Sequence, residues 1–447
     1  MKLSLIPVLL LTILLGSCTS SNQKKVAQNT AEKAKIESLT DDGVWCWFSN
    51  PRAIYYNDNK IITGWVKKDG SIEAASLDII SGKKQYKNLY PQLEIDDHDN
   101  PAFTVLPDGN VLAMYAWHST KKGVIMNTTT NGGDISSFEE PIDFKPTNED
   151  LLERFPRETY TYANPFVLSE ENNKLFVFGR WTGFKPNLII SEDNGASWNE
   201  KYVIMSDNPF TPNNRPYVNY YSDGKSKIHM VFTDGHPRVE PLNSVYYCYY
   251  ENGAFWKADG SKICNMEDLP FQPKDASEVY NATEETGRSW IADIVEKDGQ
   301  PIILYSRHPE ETDHRYRYAW YDSENSNWVD HEICKAGRWF PQTPEGKEER
   351  EPHYMGNLTF DPVNPEVVYL SRQINNRFEI EKYVTSDGGE NWEVTPITSN
   401  SEYDQVRPYV ARNKSSNAKT VVMWMENKKY VHYTDFDCSI KYFIDQD

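Results

Sequence analysis

His98 and His118 are the first residues in the chain whose types and spacing could do chemistry together. They flank the stretch 96–119, DDHDNPAFTVLPDGNVLAMYAWHS. Residues 101–106 are a short apolar run, Pro107-Asp108-Gly109-Asn110 is turn chemistry, and residues 111–117 are apolar again. A hairpin brings the end of its second strand back to the edge where its first began. The spacing therefore predicts two neighbouring imidazoles on one rim, a pair suited to proton transfer.

The hairpin that positions them recurs. Asn50-Pro51-Arg52 leads to an apolar run at 61–66, and Asn164-Pro165-Phe166 to one at 175–180. Arg215-Pro216-Tyr217-Val218 leads to 228–232, Ser289-Trp290-Ile291 to 301–306, Gly356-Asn357-Leu358 to 367–371, and Arg407-Pro408-Tyr409-Val410 to 420–424. With the hairpin at 100–118 this makes seven copies, each followed by room for two more strands. Four-stranded units repeated about an axis predict an all-β fold, a seven-bladed β-propeller. Ser191-Glu192-Asp193-Asn194-Gly195-Ala196-Ser197-Trp198 and Thr385-Ser386-Asp387-Gly388-Gly389-Glu390-Asn391-Trp392 fit the Asp-box pattern S/T-x-D-x-G-x-x-W, with a degenerate third at 129–134. These are expected to be structural turns.

If the seven hairpins are the inner strands, the residues that begin and end them share one face. The leading residues are Arg52, His98, Tyr162, Arg215, Arg288, His353 and Arg407; the closing ones are His118, Arg180, His236, Arg307 with His308, and Arg372. Blade-to-blade ion pairs would explain one or two, but so many predict an anion-binding funnel. The net charge of −19 excludes a nucleic-acid partner, which needs clustered Lys and Arg, without excluding an anion held in a local basic pocket. Such a funnel suits proton abstraction beside a carboxylate. The C5 hydrogen of a uronic acid becomes acidic when Arg or protonated His neutralises the carboxylate. A His or Tyr can then remove it while another group protonates what leaves from C4. That chemistry requires no cofactor.

At DDHDNP, WHS, TYTYANP and FGRW the chain resembles the BNR-repeat propellers that include ulvan lyases and related rhamnose–glucuronate enzymes. The resemblance spans essentially all of residues 41–447. It implies β-elimination on an ulvan-type, uronate-containing polysaccharide or its oligosaccharides, as a lyase or as a dehydratase of a terminal uronate. It casts His98 and Tyr162 as acid and base, Arg180 as carboxylate neutraliser and His118 as a second acid/base or binding group. Arg215, Tyr221, Arg288, His308 and Arg372 are the expected substrate contacts. The resemblance also raises a structural zinc on His236 and Cys248, completed by His353 or Cys264; tetrahedral zinc needs four ligands. Burial of Cys248 as a plain thiol is the alternative.

Other readings remain open at this stage. Related propellers cleave rhamnose–glucuronate bonds hydrolytically, and a glycan-binding propeller without activity would use the same groups. A sialidase would show an early Arg-Ile-Pro-like motif, of which Asn50-Pro51-Arg52-Ala53 is a distant echo. A conventional glycosidase needs two flanking carboxylates, whereas Asp96, Asp97 and Asp99 read as caps of the His98 turn. At the N-terminus, Lys2 and an apolar run at 3–15 precede Leu15-Gly16-Ser17-Cys18, which resembles a lipobox. The expectation is a signal peptide at 1–17, lipidation of Cys18 and a polar tether to residue 40. That places a monomer on the outer membrane through its lipid alone, facing the periplasm or the cell surface. Five scattered cysteines remain, with no disulfide framework.

Overall fold

The computed structural model describes residues 35–446. The expected leader, Cys18 and most of the tether lie outside these residues. Seven antiparallel sheets each begin at a strand that the repeated hairpins predict: Ala53–Asn57, Ala102–Val105, Asn164–Leu168, Val218–Ser222, Arg288–Lys297, Leu358–Phe360 and Asp404–Val410. They are numbered here as blades 1 to 7. In every blade the second strand returns antiparallel on the first, as Ala102 opposite Met114 through Val105 opposite Val111 shows in blade 2. The turn sequences therefore set register as well as strand count.

Two boundaries differ from expectation. The segment Glu37–Thr40, assigned to the tether, is the outermost strand of blade 7, paired with Asp435–Ile444. Its short polar sequence hides the strand because only Leu39 is buried. This strand joins the two ends of the described chain and closes the ring. Blade 4 carries six strands rather than four, with Ala254–Trp256, Lys262–Asn265 and Ser277–Tyr280 added around Val245–Glu251.

The core is a set of apolar seams between neighbouring blades. Phe176, Phe178, Leu188 and Ile190 of blade 3 meet Val218, Ile228, Met230 and Phe232 of blade 4. Val295, Leu304, Tyr316 and Tyr318 of blade 5 meet Leu358, Phe360, Val368 and Leu370 of blade 6. The Asp boxes staple these seams from outside. Asp193 accepts from the Ser197 amide (2.8 Å) and Asp387 from that of Asn391 (2.9 Å). Trp198 stacks on Phe144 of blade 2, and Trp392 meets Tyr318 of blade 5 edge-on.

Candidate active site

Asp96 begins the construction. It caps a single 3-10 turn, Asp97–Asp99, by accepting from the His98 amide (3.0 Å). The same carboxylate reaches both imidazoles: Oδ1 lies 2.6 Å from His98 Nδ1 and Oδ2 lies 2.8 Å from His118 Nδ1. His118 arrives just beyond the strand Val111–Ala116. The rings stack with centroids 3.8 Å apart and planes 13° off parallel. Both Nδ1 atoms face one carboxylate, so both Nε2 atoms are left for other partners. The predicted neighbours are therefore in contact, and Asp96, read from sequence only as a cap, is their common anchor.

The shared anchor does not make the two rings alike. Burial opposes charge on His98, but Cys46 and the carboxylates of Asp96 and Asp97 outweigh it and raise the imidazole well above its usual range. Burial together with the adjacent His98 pushes His118 down to about 4. One stacked ring is an acid and the other a neutral acceptor. Burial would raise the Asp96 carboxyl, but its two imidazole partners hold it below the ordinary range. Asp97 lies beneath His98 and is bound by Arg407 Nη1 at 2.6 Å, with both side chains fully buried.

Arg180 closes the strand Lys174–Arg180, with its backbone paired to Thr161 in both directions. Gly179 before it is required by packing, since a Cβ there would meet the Trp181 ring at 2.2 Å. The Arg180 guanidinium lies over the rings of Phe184 (4.6 Å), Tyr162 (5.1 Å) and Tyr217 (5.1 Å). Among the described residues its Nε and Nη1 have no hydrogen-bond partner, nor has Arg215 Nε. Buried guanidinium nitrogens left without a partner are costly unless a ligand supplies one.

These groups line one cavity of about 660 Å³ with His236, Arg157, Arg238, Glu240, Glu351 and Tyr433. Tyr217 is on its wall. Burial would raise this phenol, but Arg180 and Arg215, with His98 behind them, bring it below its ordinary value. Sequence reasoning listed Tyr217 in the repeat without giving it a role; the adjacent Arg215 was the available signal. Arg157 and Arg238 were also missed. Arg238 follows His236 by two residues, whereas Arg157 lies in a loop with no repeat signal.

Several expected site residues lie elsewhere. Tyr162 is under the floor, beside a small void shared with Phe48, Arg180 and Tyr217, and burial holds its phenol well above the usual range. Tyr221 lies in the strand Val218–Ser222, four residues beyond Tyr217. It therefore faces the opposite mouth of the channel, beside Tyr409 and Arg412. Arg372 is held by Glu381 (2.5 Å), and Arg288 donates to the Pro237 carbonyl (2.7 Å). His308 is buried behind the cavity wall with His314 and His353.

The zinc set suggested by the resemblance does not assemble. Cys248 is fully buried in the apolar seam of blades 3 and 4, opposite Met230, and Cys264 is on an added outer strand. His236 instead faces Trp290 (4.4 Å) and Tyr217 in the cavity. No three of the four bring their ligand atoms within 4.8 Å of one another. The five cysteines of the described residues are free thiols.

The fold and site define a seven-bladed propeller with a basic, tyrosine- and histidine-lined funnel on one face. The chain belongs to the BNR repeat-containing family, whose model matches residues 61–336. No curated protein sequence matches it. Among solved structures it is similar to a PL25 ulvan lyase determined with bound -[GlcA(1-4)Rha3S]-, at 13% identity and a TM-score of 0.67, covering 92% of this chain and 96% of that one. It is also similar to the polysaccharide lyase Uly1, at 13% identity and a TM-score of 0.58, covering 93% and 100%.

Proposed function

We propose that the protein is a carbon–oxygen lyase that opens uronate-containing glycans of the ulvan type by β-elimination. The observation that carries this reading is the buried Arg180 guanidinium, with Nε and Nη1 unpartnered, beside a phenol of lowered pKa and facing a stacked acid–acceptor histidine pair. Arg180 and Arg215 receive the uronate carboxylate and neutralise the charge that develops as C5 loses its proton. Tyr217 takes that proton. His98, charged through Asp96 and Asp97, protonates the oxygen leaving from C4. His118, neutral with its Nδ1 on Asp96, offers Nε2 to a sugar hydroxyl. Tyr162 carries the Arg180 guanidinium from below. The bound glycan in one similar lyase adds support for the substrate class.

Chain cleavage and loss of water from a terminal uronate share the C5 step and differ in what leaves C4. The test is to follow the ultraviolet absorbance of the C4=C5 bond conjugated to the carboxylate, with mass spectrometry, on ulvan polymer and its oligosaccharides. Rising absorbance with shorter chains supports the lyase. Rising absorbance with loss of one water and no shortening moves the reading to a dehydratase. Cleavage without absorbance would sink elimination in favour of hydrolysis, and binding without any product would leave a glycan-binding propeller. The lipobox-like Leu15-Gly16-Ser17-Cys18 supports placing the enzyme on a membrane through a lipid on Cys18, which mass analysis of the mature N-terminus tests.

A further inference from the structure

The mouth of the channel opposite the funnel holds a second cavity, of about 460 Å³, a size that suits a small ligand. Residues of blades 1 to 4, 6 and 7 line it, and none of them also lines the funnel. Tyr217 is on the funnel wall, whereas Asn50, two residues beyond Phe48, is on the wall of the second cavity. The rings of Trp47, Phe48, Trp290 and Tyr217 pack between them, with centroids 4.7 to 5.9 Å apart. Trp47, Phe48 and Trp290 are at most 2% exposed. This aromatic plug makes the second cavity blind, and the elimination has no use for it.

Its walls combine three features. Pro51, Pro165, Phe166, Tyr220 and the partly buried Tyr221 offer apolar and aromatic surface. Arg412 Nη1, the Tyr409 hydroxyl and Asn50 Oδ1 are shielded from water and complete no hydrogen bond among the described residues. Arg412 approaches the phenol oxygen without a well-aligned bond, which leaves the phenol hydrogen still to be accepted. The Asn50 amide nitrogen already donates to the Trp47 carbonyl (3.1 Å) and Asn219 Oδ1 (2.9 Å), so its oxygen is the free acceptor. Finally, the charges on the walls are matched. Asp293 holds Arg412 Nη2 through both oxygens (2.5 and 2.6 Å), and Asp361 holds Lys414 (3.1 Å). Asp223 caps its own turn, accepting from the amides of Lys225 (2.8 Å) and Lys227 (3.0 Å). Arg52 stacks on the Tyr409 ring (4.3 Å) but does not line the cavity.

Two donors and an acceptor beside aromatic surface call for a ligand that both accepts and donates, because buried polar atoms are otherwise almost always satisfied. A carboxylate or sulfate would leave Asn50 Oδ1 unmet and would find no unmatched cation on the wall. An ammonium would face the Arg412 guanidinium. Hydroxyl groups on a ring whose C–H face packs against tyrosine meet all three atoms without adding charge. We infer that this cavity binds a neutral pyranose and is a second saccharide site, on the face opposite the funnel. The contrast with the funnel is chemical as well as spatial, since Arg180 and Arg215 keep unpartnered nitrogens there for an anion. The plug prevents one chain from threading both sites, so the second takes a separate sugar or a distant stretch of a long glycan. It stands independently of the elimination reading.

The test uses the full chain and saturation-transfer NMR with the methyl glycosides of glucose, galactose, mannose, xylose and rhamnose, and with glucuronate as the charged ring. At least one neutral glycoside should bind. Tyr409→Phe keeps the ring between Arg52 and Arg412 and should weaken that binding by about 2- to 10-fold, the loss of one hydrogen bond. Tyr221→Ala should also weaken it, and decides the matter if Tyr409→Phe does not fold. Arg180→Ala, in the funnel, should weaken glucuronate and leave the neutral glycoside bound. Three results would each overturn the inference: no neutral glycoside binds, neutral binding survives unchanged in folded Tyr409→Phe and Tyr221→Ala, or glucuronate proves the tighter ligand of the site that Tyr409→Phe weakens.

Discussion

The funnel face has two unlike sectors. In blades 2 to 4 its basic groups point into the cavity, and Arg180 and Arg215 keep unpartnered nitrogens. In blades 5 to 7, residues at equivalent ends of the same hairpins are matched to carboxylates: Arg307 to Asp330, Arg372 to Glu381 and Arg407 to Asp97. One repeat therefore supplies both a binding surface and its scaffold. The distinguishing feature is whether an acid lies within reach of the guanidinium, from the next strand for Arg372, from the outer strand of the same blade for Arg307 and from the turn Asp97–Asp99 for Arg407. An arginine already paired is spent on structure, whereas an unpaired buried one is held for a ligand.

The largest expected effect lies in the open sector. Tyr217→Phe removes the proposed base while keeping the ring against Phe48 and Trp290. Turnover should fall by about 100- to 10,000-fold, as for loss of a general base. Glycan binding, measured by calorimetry, should persist. Turnover within a few-fold of wild type would remove Tyr217 from the reaction and leave His118 as the base.

Arg180 and Arg407 form the sharpest pair across the two sectors. Arg180→Ala should lower turnover by about 100- to 1,000-fold, by the measure of a lost charge-stabilising donor. It should shift the melting temperature little, because it leaves no carboxylate unpaired. Arg407→Ala should do the reverse and destabilise the fold by about 3–5 kcal/mol, since it takes the guanidinium from the fully buried Asp97 carboxylate and leaves it only Tyr430 and His98. Thermal unfolding and turnover measured on both variants check the contrast. A shared loss of stability would show that the sectors are not distinct.

The sequence revealed the architecture because propeller hairpins are local: turn residues and apolar runs set each blade without long-range information. It also revealed the His98–His118 contact for the same reason. It could not separate Arg180 from Arg372, because the partner that silences Arg372, Glu381, lies on the next strand of the same blade and pairs through register. It could not place Tyr221, because four residues along an inner strand carry a side chain from one mouth of the channel to the other. The family resemblance cast Cys248 and His236 as ligands, but the chain sends one into an apolar seam and the other into the funnel. The strand Glu37–Thr40 was invisible because its only signal is a partner some four hundred residues away.

Within the open sector, pH separates the stacked pair. Turnover should need neutral His118 and charged His98. It should therefore fall as pH drops toward about 4, and fall again as pH rises through the raised value of His98. Stability follows the same signs. His98 binds its proton more tightly when folded, so its contribution is complete below its unfolded value near ~6.5 and fades as pH rises through the folded one. His118 binds its proton less tightly when folded, so acidification from ~6.5 toward its folded value costs stability. A rate profile flat across this range would remove the pair from the chemistry. Asp96→Asn should collapse the asymmetry and bring the two limbs closer.

The smallest effect tests the scaffold sector where it is most open to solvent. Arg372 is about a third exposed, and its partner Glu381 is nearly buried but also accepts from the Tyr383 hydroxyl (3.1 Å). Arg372→Ala therefore leaves Glu381 the Tyr383 donor and a route to water, whereas Asp97 beneath Arg407 is fully buried. The expected cost is about 1–3 kcal/mol by denaturant unfolding, the range for a lost charge-assisted hydrogen bond. Turnover should stay within about twofold, as for a substitution that touches neither substrate nor cavity. A selective rise in KM at unchanged stability would move Arg372 from the scaffold to the substrate. Blade 6 would then join the open sector, while blade 5 would stay in the scaffold through Arg307 and Asp330.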